Sequence, residues 1–145
     1  MTHAAVVIDP QRLHDYWPMV RADVAHCAAQ DSDETWPEDV YAAVRFQQAW
    51  LLYITAADQY AGMAVLTSRR DPFNPRKSKL IVWLCRTHSE GAMEAGLKVV
   101  EGMAAVEGHS MVSFHGSRLS FDRWGKKHGF EFDSVALHKQ VNNHG

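Results

Sequence analysis

The chain has little of what marks the specialised protein classes. It holds only two cysteines, Cys27 and Cys85, in 145 residues. They are isolated in sequence, which excludes a disulfide-stapled scaffold and makes a reduced, cytosolic setting the expectation. Long apolar runs are missing too: none reaches the roughly 18 residues a membrane-spanning helix needs. The opening segment MTHAAVVIDP has no basic start, extended apolar stretch or cleavage pattern, so no secretory signal is expected. Neither sign of charge is in excess. Fifteen Lys and Arg face seventeen Asp and Glu, a formal net charge of −2. That balance argues against broad electrostatic binding of nucleic acid or of an anionic membrane. Nine histidines add positive charge only at acid pH. No two of them are four residues apart and no Cys/His cluster forms, so no metal site is expected. A P-loop, a dinucleotide fingerprint, a nucleophile elbow and a serine-triad order are all absent.

What is present reads as one globular domain covering residues 1–145. The hydrophobic fraction of 46% and charged fraction of 22% are globular values. A chain of this size buries roughly 68–70% of its unfolded surface. Ala4–Ile8 reads as a first strand. Asp9 then reads as a helix N-cap with Pro10 at the first helical position. Leu13, Trp17, Val20, Val24 and Cys27 recur at three- and four-residue spacings, which predicts a helix to about Gln30, kinked or split at Pro18. The acidic stretch Asp31–Glu34 links it to a short helix opening at Trp36-Pro37-Glu38-Asp39 and running to about Gln47. Ala49–Ala57 and Tyr60–Thr67 are strand-like, with Asp58-Gln59 as their tight connection. Ser68–Lys77 carries two prolines and an asparagine and reads as a loop.

The C-terminal half holds the most informative pattern. Ser78–Cys85 (SKLIVWLC) is an apolar strand, Ser89 to about Val106 a helix, and Ser110–His115 (SMVSFH) another strand. A short amphipathic segment, Leu119–His128, then leads through Gly129-Phe130 into a final strand, Glu131–Val141. The helix between the fourth and fifth strands would be a crossover that makes them parallel neighbours. The expected architecture is α+β in layers: a mixed, mostly antiparallel sheet of six to seven strands with helices on both faces.

This order resembles the GNAT (GCN5-related N-acetyltransferase) superfamily, and more loosely the GNAT-like proteins of tailed bacteriophages. The resemblance spans nearly the whole chain as topology. It rests at the level of residues on Ser78–Cys85 with its following turn, and on Arg118 to Phe130. It implies that strands 4 and 5 splay apart and that acetyl-CoA or another acyl-CoA lies in the gap as cosubstrate. The backbone of Trp83, Leu84 and Cys85 would align the pantetheine. The pyrophosphate would sit on the next helix's N-terminus, where unpaired N–H groups and the helix dipole favour an anion. The family loop, (Gln/Arg)-x-x-Gly-x-(Gly/Ala), is matched by His88-Ser89-Glu90-Gly91-Ala92-Met93. His88, Ser89, Gly91 and Ala92 are therefore the implied cofactor residues. Met93 replaces the final small residue, and Glu90 carries a charge opposed to a pyrophosphate.

The second family signature, Asn-x-x-Ala-x-x-Leu-Tyr-x-x-x-Gly-Phe, ends on Gly129-Phe130 here. Aligned on that pair, Arg118 takes the Asn position, Phe121 the Ala, Trp124 the Leu and Gly125 the Tyr. The family's general acid is thus replaced, and Leu80–Cys85 carries no strand-4 acid. His115 and Ser117, at the end of strand 5, would face the splay; His115 is the candidate base for an attacking amine. Cys85 could take an acyl group only if its thiolate were stabilised, and it reads more simply as a small apolar residue.

Two readings follow. One is an acyl-CoA-dependent N-acyltransferase with a degenerate site, acting on an unnamed amine acceptor. Trp36, Tyr41 and Trp50 are candidates for its acceptor side, and are equally suited to core packing. The other is a catalytically inactive GNAT-fold binding or structural module with a protein partner, virion-associated if phage-encoded and otherwise cytoplasmic. A final strand left at a sheet edge could also pair with a second copy. The loop holding Arg69, Arg70, Arg76, Lys77 and Lys79 against Asp71 alone could meet phosphate, RNA or an acidic protein, although a solvated hairpin loop is the plainer reading.

Overall fold

Ten residues of the Trp50–Ala56 and Gln59–Arg69 strands are buried with their side chains divided between two cores, and this division sets the layers. The structure, a computed structural model, describes residues 2–30 and 35–114, all within the unit Met1–His115. In chain order it has β1 (His3–Val7), α1 (Leu13–Ala29), α2 (Pro37–Arg45), β2 (Trp50–Ala56), β3 (Gln59–Arg69), β4 (Lys79–Thr87), α3 (Glu90–Val106) and β5 (Met111–Phe114). Single 3-10 turns at Pro10–Arg12 and Pro75–Lys77 precede α1 and β4. Asp9 caps the first of these as expected, accepting from the Gln11 N–H at 3.0 Å. Helix α1 continues through Pro18 as one element instead of splitting there.

The sheet runs β1-β2-β3-β4-β5. The first four strands are antiparallel and β5 lies parallel to β4, with α3 as the crossover. The fold is α+β. The described sheet has five strands, not the six to seven expected; Leu119–His128, Gly129-Phe130 and Glu131–Val141 lie outside the described residues. Leu51, Tyr53, Met63 and Val65 pack with Leu13, Val20, Val24, Val40 and Val44 of the first two helices. Leu52, Ile54, Ala64 and Leu66 pack with Ala92, Val100 and Ala104 of α3. Alternation with a period of two puts helices on both faces, as expected.

Three local features shape the sheet. The β2–β3 hairpin turns at Ala57-Asp58, one residue earlier than expected. Both residues are left-handed (φ 49° and 63°), the geometry whose twist suits a two-residue hairpin. At Gly62, which pairs with Thr87, an added Cβ would lie 2.8 Å from the Arg86 carbonyl oxygen and 2.9 Å from Thr87 Cα, so only glycine permits this approach of β3 to β4. The third is a bulge in β4. Leu66 pairs with Val82 and Val65 with Leu84, which leaves Trp83 as an extra residue. Leu80 and Val82 therefore face α3, whereas Leu84 faces α1 and α2. Without the bulge, Leu84, Arg86 and His88 would have continued on the α3 side.

Candidate active site

The bulge decides which groups meet at the C-terminal end of β4. Arg86 and His88 follow Leu84 at intervals of two, so both side chains reach the α1 face. There they meet Asp23, whose carboxylate is only 6% exposed. His88 Nε2 lies 2.8 Å from Asp23 Oδ2, and Arg86 Nη1 lies 3.3 Å from Oδ1. The Tyr60 hydroxyl also donates to Oδ2. A buried carboxylate is tolerable only when paired and hydrogen-bonded, and Asp23 has three partners. Burial, then the bond to Asp23, pushes the Tyr60 phenol well above its usual range, so it remains a donor. Aromatic contacts extend the cluster across the sheet: Tyr60 to His88 at 6.0 Å, Tyr53 to Tyr60 at 5.2 Å and Tyr16 to Tyr53 at 5.2 Å.

The expected cofactor residues lie in sequence around this turn. Trp83 is the bulge residue, packed against the α1 and α2 core, and Leu84 is buried in that core, so what these two offer a ligand is backbone. β5 pairs with Lys79–Val82 of β4 through Met111–Phe114. Under α3 an apolar recess is lined by Val82, Cys85, Met93, Leu97 and Phe114. It holds about 10 Å³, room for roughly one water. The Cys85 thiol faces Met93 Sδ at 3.9 Å, and burial pushes its pKa up to about 12. It is a thiol at neutral pH and not a poised nucleophile.

Ser89 occupies the N-cap position of α3 with extended backbone, but its hydroxyl does not cap the helix. Its Oγ pairs with His3 Nε2 of β1 at 3.1 Å. The His3 ring lies on Gly91, where an added Cβ would stand 2.4 Å from Cε1. Gly91 is thus accounted for by the close approach of β1, and Ala92 is fully buried in the α3 core. The N–H groups of Glu90 and Gly91 belong to the first helical turn, whose donors have no intrahelical acceptor. The Glu90 side chain is exposed beside them.

His115, Ser117 and the Arg118-to-Phe130 signature lie outside the described residues. The three acceptor-side candidates do not share a face: Tyr41 packs edge-on to Trp17 at 5.0 Å in the α1 and α2 core, Trp50 packs on the α3 side, and Trp36 is 66% exposed. Asp23, Tyr60, Arg86 and His3 were missed as site residues. One signal existed. Asp23 falls three residues after Val20 and four before Cys27, on the apolar stripe of α1, where an acid needs partners. Among the described residues no group of three His, Cys, Asp or Glu is placed to hold a metal, and no helix is long and apolar enough to cross a membrane.

No protein-family model matches the sequence, and no curated protein matches it. Solved structures do. The chain is similar to a ribosomal-protein-alanine N-acetyltransferase from Brucella melitensis biovar Abortus 2308, at TM-score 0.71 and 12% identity over 98% of this chain and 100% of that one. It is similar to an aminoglycoside acetyltransferase from an uncultured soil metagenomic sample, at TM-score 0.72 and 10% identity over 98% and 100%. It is also similar to the aminoglycoside N-acetyltransferase AAC(6')-Iy in complex with CoA, at TM-score 0.70 and 12% identity over 97% and 95%. The chain has the GNAT fold, in a divergent form. At these identities the likeness concerns the fold.

Proposed function

We propose that this protein is an acyl-CoA-dependent N-acyltransferase that moves an acetyl group to an amine. The observation that carries this reading is the Trp83 bulge in β4, the strand that runs on to the N-terminus of α3. The residues suit the cosubstrate. An extended backbone at Trp83–Cys85 offers groups for the pantetheine amides, and the start of α3 offers the Ser89 and Gly91 N–H groups to a pyrophosphate, with Ala92, whose N–H donates to the Ser89 carbonyl at 3.2 Å, closing the turn behind them. Acetyl-CoA supplies an activated thioester carbonyl. The amine nitrogen takes the acetyl group and its proton passes to His115, supported by Ser117, while the C–S bond breaks and CoA leaves as the thiolate, which is protonated by water. Among the solved relatives, one is bound to CoA and others carry the names of amine acetyltransferases, which supports the same reading.

A second reading, a GNAT-fold binding module without catalysis, is favoured by one feature of the site. The two basic side chains at the end of β4, Arg86 and His88, are engaged by Asp23, while Glu90 is exposed on the first turn of α3. Calorimetric titration with acetyl-CoA separates the two. Micromolar affinity supports the transferase and calls for a screen of amine acceptors. No heat and no thermal shift at millimolar ligand would end the transferase reading in favour of a module kept for its contacts.

A further inference from the structure

The loop between β3 and β4 lies at the other end of β4 from the cleft. Nine residues of strand at about 3.3 Å each separate the two, so a ligand on the loop would be independent of the proposed transferase. Its tip is Phe73, which is 96% exposed. Around it Arg69, Arg70, Arg76 and Lys77 are all exposed, and none has an ion-pair partner among the described residues. The loop is nonetheless built. Asp71 Oδ1 accepts from the N–H groups of Phe73 at 2.8 Å and Asn74 at 3.2 Å. Asn74 Oδ1 accepts from the Arg76 N–H at 3.1 Å. The Ser110 hydroxyl, just before β5, donates to the Arg76 carbonyl, and the Ser110 N–H donates to the Ser78 carbonyl at 3.2 Å. Asp71, the one acid in the segment, is thereby occupied in holding the turn.

We propose that this loop binds single-stranded nucleic acid, with a base stacked on Phe73 and the flanking phosphates met by Arg69, Arg70, Arg76 and Lys77. An exposed aromatic ring between cations provides both halves of such recognition: stacking that any base satisfies, and backbone charge neutralisation. A balanced net charge speaks against binding over the whole surface, but here the cations are gathered on one ordered turn. A lipid surface suits the loop less well, because beside Phe73 the tip offers only the small exposed ring of Pro72, with the polar Asp71 and Asn74 on either side. The site needs neither CoA nor any catalytic residue.

The test is fluorescence anisotropy of short labelled oligo(U) and oligo(dT) with the intact chain, beside vesicles of phosphatidylserine and phosphatidylcholine. The expected result is micromolar binding of oligonucleotide at about 50 mM salt, with log K falling against log[salt] at a slope approaching about −3 for four phosphate contacts. Phe73→Ala should weaken it roughly 5- to 150-fold, and Phe73→Trp should preserve it. Arg69→Ala with Arg70→Ala should lower the slope by about 1.4. All these side chains are exposed, so unchanged melting temperatures would show that the variants fold. Absence of binding at about millimolar protein overturns the proposal. Binding indifferent to Phe73→Ala overturns it in favour of plain electrostatic adsorption, and Phe73-dependent capture by vesicles alone overturns it in favour of a lipid surface.

Discussion

Asp23 and His88, 65 residues apart in sequence, meet at 2.8 Å, with Tyr60 and Arg86 on the same carboxylate. The contact exists because the Trp83 bulge turns the end of β4 toward α1. Replacing the carboxylate by an amide weakens the bond from the half-buried Tyr60 hydroxyl, while Arg86 and His88 are open enough to recover solvent. Asp23→Asn should therefore destabilise the fold by about 1–3 kcal/mol, less than a fully buried ion pair would lose. In a double-mutant cycle with Tyr60→Phe, urea unfolding should give a coupling of about 0.5–3 kcal/mol. A variant as stable as the parent would show that the cluster does not hold α1 to the sheet.

The same burial sets a dependence on alkaline pH. The Cys85 thiol is raised from 9.0 to about 12, and the Tyr60 and Tyr53 phenols are raised from 10.0. Each is favoured in its neutral form by folding, so the stability it contributes is present in full below its unfolded pKa. That contribution is lost as pH rises from there toward the folded pKa. Stability should be flat through neutral pH and fall above about pH 9, by up to about 1.4 kcal/mol per pH unit for each group that titrates. Urea midpoints measured across the alkaline range should show this fall, and Tyr60→Phe should make it shallower above about pH 10. An unchanged slope in that variant would remove Tyr60 as a cause.

At the β2–β3 turn, Ala57 carries a Cβ at φ 49° with no side-chain hydrogen bond to support it, a conformation Asn adopts at lower cost. Ala57→Asn should stabilise the protein by about 0.5–1 kcal/mol, a rise of a few degrees in melting temperature, and Ala57→Val should lower it. Calorimetry of the two variants decides, and a fall in both would mean the turn is held by something other than backbone preference.

Much of this architecture could be read from spacing. The apolar period along α1, the Ser89-to-Val106 helix, the Asp9-Pro10 start and the two central strands lie within a few residues of their expected places. The site was harder, for reasons visible in particular residues. SKLIVWLC is apolar at nearly every position, so both faces of β4 are satisfied in either parity and nothing marks Trp83 as the bulge. Ala57 lacks the Gly or Asn that usually signals a left-handed turn, which misplaced the connection by one residue. Arg86 and His88 acquire a partner only through the fold, and nothing near Gly91 in the sequence shows that His3, 88 positions away, will lie on it.

Glu90 is exposed on the first turn of α3, beside donors proposed to receive a pyrophosphate. Its carboxylate favours the positive end of the helix in the absence of ligand and opposes an anion arriving there. Glu90→Gln should cost the helix about 0.3–1 kcal/mol of stability and tighten acetyl-CoA by a modest factor, roughly two- to fivefold, with the gain shrinking as salt rises. Calorimetry at two ionic strengths reads both effects. Weaker binding in the variant would mean the anion does not approach this turn.

The last prediction concerns whether Gly91 serves the ligand or the fold. A Cβ at Gly91 would meet only the His3 ring, the mobile end of a side chain, whereas one at Gly62 would meet the backbone of Arg86 and Thr87. Gly62→Ala should thus cost more than about 2 kcal/mol, since two strands must separate, and Gly91→Ala much less. The mild loss at Gly91 is the sum of two opposed effects: the displaced His3–Ser89 contact, and a gain of about 1 kcal/mol for replacing glycine in a helix. Removing the ring isolates the gain, so in a His3→Ala background Gly91→Ala should become stabilising. If the glycine is there for β1 alone, the double variant should also bind acetyl-CoA as the parent does. If it is there to let a pyrophosphate approach the backbone, the double variant should be stable and yet lose affinity about tenfold or more, which would return Gly91 from packing to binding.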